Sequence, residues 1–153
     1  MLENESYSRF IGVEIYENGI AELLSGLNRK YFNRINIFRN DFRLFLDHTP
    51  NNFFQRILVL YPDPWFKRRH NKRRILNHNN IEKLSKSIRK DGLIYIATDI
   101  EEYFSFIIQN FNKVKNLSIL NINQFHIKPS ILGITKYEKK ANLAKRASFF
   151  LVV

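Results

Sequence analysis

The chain has 153 residues, of which 44% are hydrophobic and 14% aromatic, and this composition predicts one globular domain and argues against a disordered chain. Its 25 Lys and Arg residues outnumber 14 Asp and Glu, giving a formal net charge of +11 that indicates an anionic partner: a phosphate backbone, with a membrane surface as the weaker alternative. The absence of cysteine excludes disulfides, thiol catalysis and cysteine-ligated zinc, and the four histidines have no metal-ligand spacing.

Strands and helices alternate along the predicted secondary structure. In chain order, the patterns predict a strand at Phe10–Ile15, a helix at Asn18–Lys30, a strand at Ile35–Phe38, one or two helical turns at Asp41–Asp47, a strand at Arg56–Tyr61, a helix at Asn79–Lys90, a strand at Leu93–Ala97, a helix at Ile100–Phe111, and strands at Ser118–Ile122 and Ser148–Val153. Pro62 ends the third strand, and Asp91-Gly92 is typical of a helix C-terminus. This rhythm predicts an α/β fold with a mostly parallel sheet, helices on both faces and a hairpin-like pair of strands at one edge.

No apolar run approaches the roughly 18–20 residues that a membrane span needs. Residues 1–5 are polar and acidic, unlike a signal peptide. We therefore expect a cytoplasmic protein with no membrane partner and no metal.

Polar residues follow the predicted strands, at the edge where open α/β sheets bind their ligands. They are Glu14, Asn40 and Asp41, Asp63, and Asp99. For Asp41 and Asp99 a helix N-cap is the structural alternative to a ligand contact.

The segment Tyr61–Arg74 is the most informative part of the sequence. Asp63 lies between two prolines that restrict its backbone, and Trp65 follows. Six of the eight residues in Lys67–Arg74 are cations, so the remainder of the chain carries only 11 − 6 = +5. A fixed carboxylate and an aromatic ring beside a phosphate-binding patch suit chemistry on a base of a folded nucleic acid. Trp65 is expected either to stack on that base or to pack in the core.

Several motifs resemble those of the bacterial tRNA (guanine-N7)-methyltransferases, the TrmB family. Pro62–Trp65, Lys67 and His70–Arg74 are similar to the family signature. Further similarities, in the family's order, are Gly12-Val13-Glu14 to G-x-E, Ala97-Thr98-Asp99 to A-T-D, and Thr135-Lys136-Tyr137-Glu138 to T-K-F-E with Tyr for Phe.

This resemblance implies a Rossmann-like class I methyltransferase fold and methyl transfer from S-adenosylmethionine to guanine N7 at position 46 in the variable loop of tRNA. Since N7 already carries a lone pair, the catalytic task that falls to Asp63 is to orient the purine and offset its developing charge. The implied binding roles are S-adenosylmethionine contact by Glu14, Asn40, Asp41 and Asp63, substrate contact by Lys67, Asp99, Thr135, Lys136, Tyr137 and Glu138, and RNA binding by Arg68, Arg69, His70, Asn71, Lys72, Arg73 and Arg74.

One family motif has no counterpart in the chain. The glycine-rich loop E-I-G-x-G-x-G of the family is missing, and the five glycines never form G-x-G. Residues 1–153 are therefore expected to form a partial methyltransferase domain, N-terminally truncated with the first strand missing. The chain is then either a truncated product or one that a separate N-terminal fragment or a second copy completes.

Two rival functions stay open. One is a catalytically inactive tRNA- or RNA-binding module, which the missing loop favours. The other is a basic protein that binds nucleic acid or anionic membranes without specificity, and the acidic strand ends argue against it.

Overall fold

A computed structural model describes residues 8–153 of the chain, so the interpretation of residues 1–5 lies outside it. The described residues form two sheets, one of two strands and one of three. They belong to two compact units, the first ending at His48 and the second spanning Thr49–Val153.

The first unit is a small β-α-β arrangement followed by a short helix. Its elements are β1 (Phe10–Val13), α1 (Glu17–Gly26), a 3-10 helix (Arg29–Arg34), β2 (Ile35–Phe38) and α2 (Phe42–Asp47). The two strands pair in parallel, with Phe10 opposite Ile35. The predicted helix ends early, because the Asn28 side chain accepts a hydrogen bond from the Lys30 amide and starts the 3-10 helix instead.

The second unit contains most of the buried core. Its elements are β3 (Phe54–Leu60), a 3-10 helix (Arg68–Arg73), α3 (His78–Ser87), β4 (Ile88–Thr98), α4 (Glu101–Phe111), α5 (Lys136–Leu143) and β5 (Phe149–Val152). The central strand β4 pairs in parallel with β3 and antiparallel with β5. Ile94 and Ile96 of β4 are fully buried, as are Ile81 of α3 and Ile107 of α4. This placement explains why these strands read as apolar runs.

The predicted C-cap at Asp91-Gly92 is wrong. Helix α3 ends at Ser87, and β4 begins at the next residue and contains both Asp91 and Gly92. Position 92 requires a glycine because the neighbouring atoms are too close for a side chain: a Cβ would lie 2.7 Å from Ile88 Cγ1 and 3.0 Å from the Gln55 carbonyl oxygen. The approach coincides with an irregularity in the β3–β4 register between Phe54 and Arg56.

The expected strand at Ser118–Ile122 is also wrong, although this segment does run beside β5. The Leu120 amide donates to the Val152 carbonyl at 2.8 Å. The Asn121 side chain donates to the Phe150 carbonyl and accepts from the Val152 amide, each at 2.9 Å. A side-chain amide therefore takes the place of a backbone ladder here.

Candidate active site

The turn after β3 holds two bulky residues in the left-handed backbone region. Tyr61 has φ 52° and Trp65 has φ 45°, and Pro62–Pro64 lie between them. Such conformations cost about 1–3 kcal/mol each and persist only where surrounding contacts impose them. One such contact is the Tyr61 amide, which donates to the Ala97 carbonyl of β4 at 2.7 Å. The backbone that carries Asp63 is therefore fixed at the carboxyl end of the sheet.

Asp63 opens onto a surface cavity of about 420 Å³. The lining includes Trp65, Lys67 and His70, so the predicted catalytic carboxylate and a predicted substrate lysine share one depression. Trp65 is half-buried, and the Arg73 guanidinium carbon lies 4.8 Å from its ring centroid. The His70 ring meets the indole edge-on, with centroids 5.7 Å apart. The tryptophan thus lies on the wall of the cavity and not in the core.

The cationic segment divides into an outward set and one buried residue. Lys67, Arg68, Arg69, Lys72 and Arg73 are exposed, while His70 and Asn71 are half-buried. Residues Arg68–Arg73 form a 3-10 helix beside the turn, which keeps these exposed cations next to Asp63. The exposed cations are placed as a phosphate-binding surface requires, and their contact with RNA stays a prediction.

Arg74 does not fit its predicted role in RNA binding. Its side chain is 1% exposed, so a phosphate has no access to it. The guanidinium carbon lies 5.1 Å from the ring centroid of Tyr103 and 4.6 Å from that of Phe106, both on α4. Nε donates to the Pro64 carbonyl at 2.7 Å, and Nη2 donates to both carboxylate oxygens of Glu102. The sequence offered no sign of this burial, because Arg74 is one cation of a uniform run.

Asp99, at the end of β4, forms an ion pair with Arg146. Arg146 Nη2 lies 2.7 Å from Asp99 Oδ2, and Nε donates to the same oxygen at 2.8 Å. The Asp99 side chain is only 15% exposed. The N-cap alternative is wrong, since Ile100 occupies that position of α4 and the Thr98 hydroxyl accepts its amide hydrogen. A substrate that reaches Asp99 has to share it with Arg146.

The segment Thr135–Glu138 lies at the start of α5, where the sequence patterns predicted no helix. The Thr135 hydroxyl accepts from the Glu138 amide at 3.0 Å, and the T-x-x-E spacing is a recognised sign of a helix start. The Glu138 carboxylate lies 2.6 Å from Lys128 Nζ. Two of the predicted substrate residues therefore have structural partners.

Tyr137 joins this helix to the strand ends. Its ring stacks on Tyr61 at 6.2 Å between centroids and 20° between planes. The Nζ atoms of Lys136 and Lys140 lie 5.6 and 5.9 Å from the Tyr137 centroid. Burial raises the pKa of Tyr61, and the charges of Glu138 and Asp99 add to this effect, while a hydrogen bond to Ser148 opposes it. The structure thus brings α5 to the edge that carries Asp63 and Asp99.

In the first unit, the predicted cofactor residues lie at the carboxyl ends of β1 and β2. Glu14 Oε1 accepts from the amides of Ile15 and Tyr16 at 2.8 and 2.9 Å. Asp41 caps α2 as predicted, accepting from the Arg43 amide at 2.7 Å, and the Asn40 side chain accepts from the Asp41 amide. Each side chain therefore has a local structural role, which leaves its cofactor contact a prediction.

The comparison with known sequences identifies the family. Residues 1–151 match the family described as "Putative methyltransferase". The chain belongs to this methyltransferase family. This match, together with relatives that bear the name tRNA (guanine-N(7)-)-methyltransferase, confirms the family resemblance that the sequence motifs indicated.

Individual relatives are longer than this chain. It is 34% identical over 144 residues to a "Bifunctional methyltransferase" of Rickettsia felis, covering 94% of the chain and 27% of that protein. It is also 34% identical over 151 residues to a "tRNA (guanine-N(7)-)-methyltransferase" of Buchnera aphidicola subsp. Schizaphis graminum, covering 94% of the chain and 61% of that protein. The chain thus spans about a quarter to three-fifths of the curated relatives it matches.

A solved structure supports the fold class. An antibiotic-related methyltransferase superposes with a TM-score of 0.63 at 12% identity, covering 99% of this chain and 78% of that one. The predicted Rossmann-like methyltransferase fold is confirmed. Within residues 8–153, no helix is long and apolar enough to cross a membrane. The same residues contain no group of three or more His, Asp or Glu side chains arranged to hold a metal ion.

Proposed function

We propose that this protein methylates guanine N7 in the variable loop of tRNA, with S-adenosylmethionine as the methyl donor. The observation that carries the proposal is the strained turn that presents Asp63 to an open cavity beside exposed cations. Membership of a methyltransferase family and a relative that bears the name of this activity give it further support. Such an enzyme works in the cytoplasm, where tRNA is found.

The chain's own residues have three tasks in this reaction. Guanine N7 needs no general base, since its lone pair takes the methyl group directly. Asp63 accepts hydrogen bonds from the Watson–Crick edge of guanine and offsets the positive charge that develops on the purine. Lys67 lines the same cavity, and the exposed cations of Arg68–Arg73 bind the phosphates that position the loop.

The residues of the first unit fit a nucleoside cofactor. Bound S-adenosylmethionine supplies the electrophilic methyl group. Glu14 uses Oε1 for two backbone amides, while Oε2 lies beside Gly19, where a Cβ would approach it to 3.3 Å. A carboxylate oxygen at the end of a parallel strand is the usual acceptor for ribose hydroxyls in this class of fold. Asn40 and Asp41, after the neighbouring strand β2, are the candidates for the adenine side.

The test measures methyl transfer and tRNA affinity together. Asp63→Ala is expected to lower the rate of transfer from radiolabelled S-adenosylmethionine to unmodified tRNA by about 100- to 1,000-fold, the range seen when one charge-stabilising group is removed. Affinity for tRNA should stay within about threefold, because phosphate contacts by the exposed cations dominate affinity and one lost contact to a base changes it little. Asp91→Ala, which removes an exposed acid in β4, is the matched control and should change neither quantity.

Two outcomes would contradict the proposal. If Asp63→Ala lost affinity as strongly as rate, Asp63 would be a binding residue and not a catalytic one. If the unaltered chain bound tRNA but transferred no methyl group with S-adenosylmethionine present, the RNA-binding module would be the better description.

A further inference from the structure

Arg74 is a buried cation next to a run of exposed ones, and one of its side-chain hydrogen bonds goes to the turn that carries Asp63. Nε donates to the carbonyl of Pro64, the residue directly after Asp63, at 2.7 Å. Nη2 reaches the two Glu102 oxygens at 2.9 and 3.1 Å. The guanidinium carbon also lies within about 5 Å of the ring centroids of Tyr103 and Phe106. One side chain thus links the turn to the first two turns of α4.

The backbone of Arg74 adds two further connections. Its amide donates to the Asn71 carbonyl at 3.0 Å, which closes the 3-10 helix. Its carbonyl accepts from Asn77 Nδ2 at 2.8 Å, and Asn77 is the N-cap of α3. The strained turn, the cationic 3-10 helix and the starts of α3 and α4 therefore meet at this residue.

We propose that Arg74 is a positioning residue, which holds the turn between Tyr61 and Trp65, the two residues with positive φ, so that Asp63 faces the substrate cavity. Its role is exerted through Pro64 and Glu102 and not through contact with RNA. The proposal rests on the proposed function for the chemistry of Asp63, while the link between Arg74 and the turn stands on the geometry alone.

Arginine suits this position for reasons of shape. Its planar fork can donate to Pro64 on one side and to Glu102 on the other while its face packs on aromatic rings. A lysine ammonium is a point charge that cannot make all three contacts at once. Glu102 is 62% exposed in its side chain, so replacing it creates no cavity, but it leaves the buried Arg74 cation without its carboxylate. The Glu102→Ala variant is therefore compared with the unaltered chain only after circular dichroism has shown that it is folded.

The chain offers a direct reporter for this turn, because Trp65 is its one tryptophan. Acrylamide quenching of its fluorescence measures how far the turn opens to solvent. Arg74→Met keeps most of the packing volume and removes the donors, and we expect its quenching constant to rise on the order of twofold as local opening becomes frequent. Arg74→Lys and Glu102→Ala should each give a smaller rise. Lys113→Met, which removes an exposed cation just after α4, is the charge control and should match the unaltered chain.

Turnover and salt dependence provide independent measurements. For Arg74→Met and Arg74→Lys we expect a fall of about 100-fold in kcat with little change in KM for tRNA, since a misplacement of about 1 Å costs this much. The salt dependence of tRNA affinity should be unchanged in both variants, because no phosphate contact is lost. A purely phosphate-binding arginine would give the opposite pattern.

The inference is overturned if the folded Arg74→Met and Glu102→Ala variants both quench like the unaltered chain. A second result would also overturn it. If circular dichroism shows that Arg74→Met is unfolded, while Glu102→Ala and Arg74→Lys have normal quenching constants, then Arg74 stabilises the whole fold and not this turn in particular. An unaltered chain with no methyl transfer would refute the proposed function alone, and the quenching data would still decide the role of Arg74.

Discussion

The adjacent cations of the 3-10 helix should differ sharply in how they affect the salt dependence of tRNA binding. Each phosphate contact that a cation makes contributes about 0.7 to 0.9 units to the slope of log affinity against log salt. Lys72 and Arg73 are exposed, whereas Arg74 is 1% exposed. Lys72→Ala combined with Arg73→Ala should therefore reduce the slope by about 1.4 to 1.8 units. Arg73→Ala combined with Arg74→Ala removes the same formal charge but should reduce it by only about 0.7 to 0.9 units.

The measurement is the fluorescence anisotropy of labelled tRNA, titrated with each double variant between about 50 and 200 mM KCl. For the unaltered chain, tRNA affinity falls by some factor between the lowest and the highest salt concentration. That factor should be about 7- to 12-fold smaller for the variant that lacks Lys72 and Arg73, and about 2.6- to 3.5-fold smaller for the variant that lacks Arg73 and Arg74. Equal reductions would show that Arg74 reaches a phosphate and would refute the assignment made from its burial. No reduction in either pair would refute the phosphate-binding surface as a whole.

Two further predictions concern stability and the start of α5. Burial raises the pKa of Tyr103 to about 12, whereas in the unfolded chain this tyrosine ionises near its ordinary pKa of 10. The contribution of Tyr103 to the free energy of unfolding is therefore complete below pH 10 and is lost as the pH rises toward 12. Between pH 9 and 11 the free energy of unfolding from urea titration should fall by about 1.4 kcal/mol more than in Tyr103→Phe, and equal falls would contradict the assigned burial. Thr135→Ala should lower the free energy of unfolding by about 1 kcal/mol, because α5 loses its N-cap. Thr135→Asn keeps a capping side chain and should therefore have normal stability and a normal rate of methyl transfer. Lost transfer in a stable Thr135→Asn would instead indicate direct substrate contact by the hydroxyl.

Local rules predicted the first half of the fold well. β2 was predicted at its observed bounds, and Asp41 caps α2 because an acid before an apolar helical stretch satisfies the first amides. Prediction failed where long-range contacts replaced local preferences. Gly92, expected to end a helix, lies within β4, where the position requires glycine because Ile88 and the Gln55 backbone leave no space for a Cβ. The segment around Asn121 makes side-chain bonds to β5 instead of forming a strand.

The sequence by itself determined the chemistry that this protein can offer: an acid fixed between prolines, polar strand ends and a dense run of cations. These features depend on residue type and on spacing along the chain, which the sequence displays directly. Only the tertiary structure decided which of those cations faces solvent. Arg73 and Arg74 are neighbours of the same residue type. Arg73 is exposed and contacts the Trp65 ring, whereas Arg74 is buried and binds Glu102, which lies 28 residues further along the chain. Successive side chains leave a short helix in different directions, and the packing of α4, distant in sequence, selects the one that is buried.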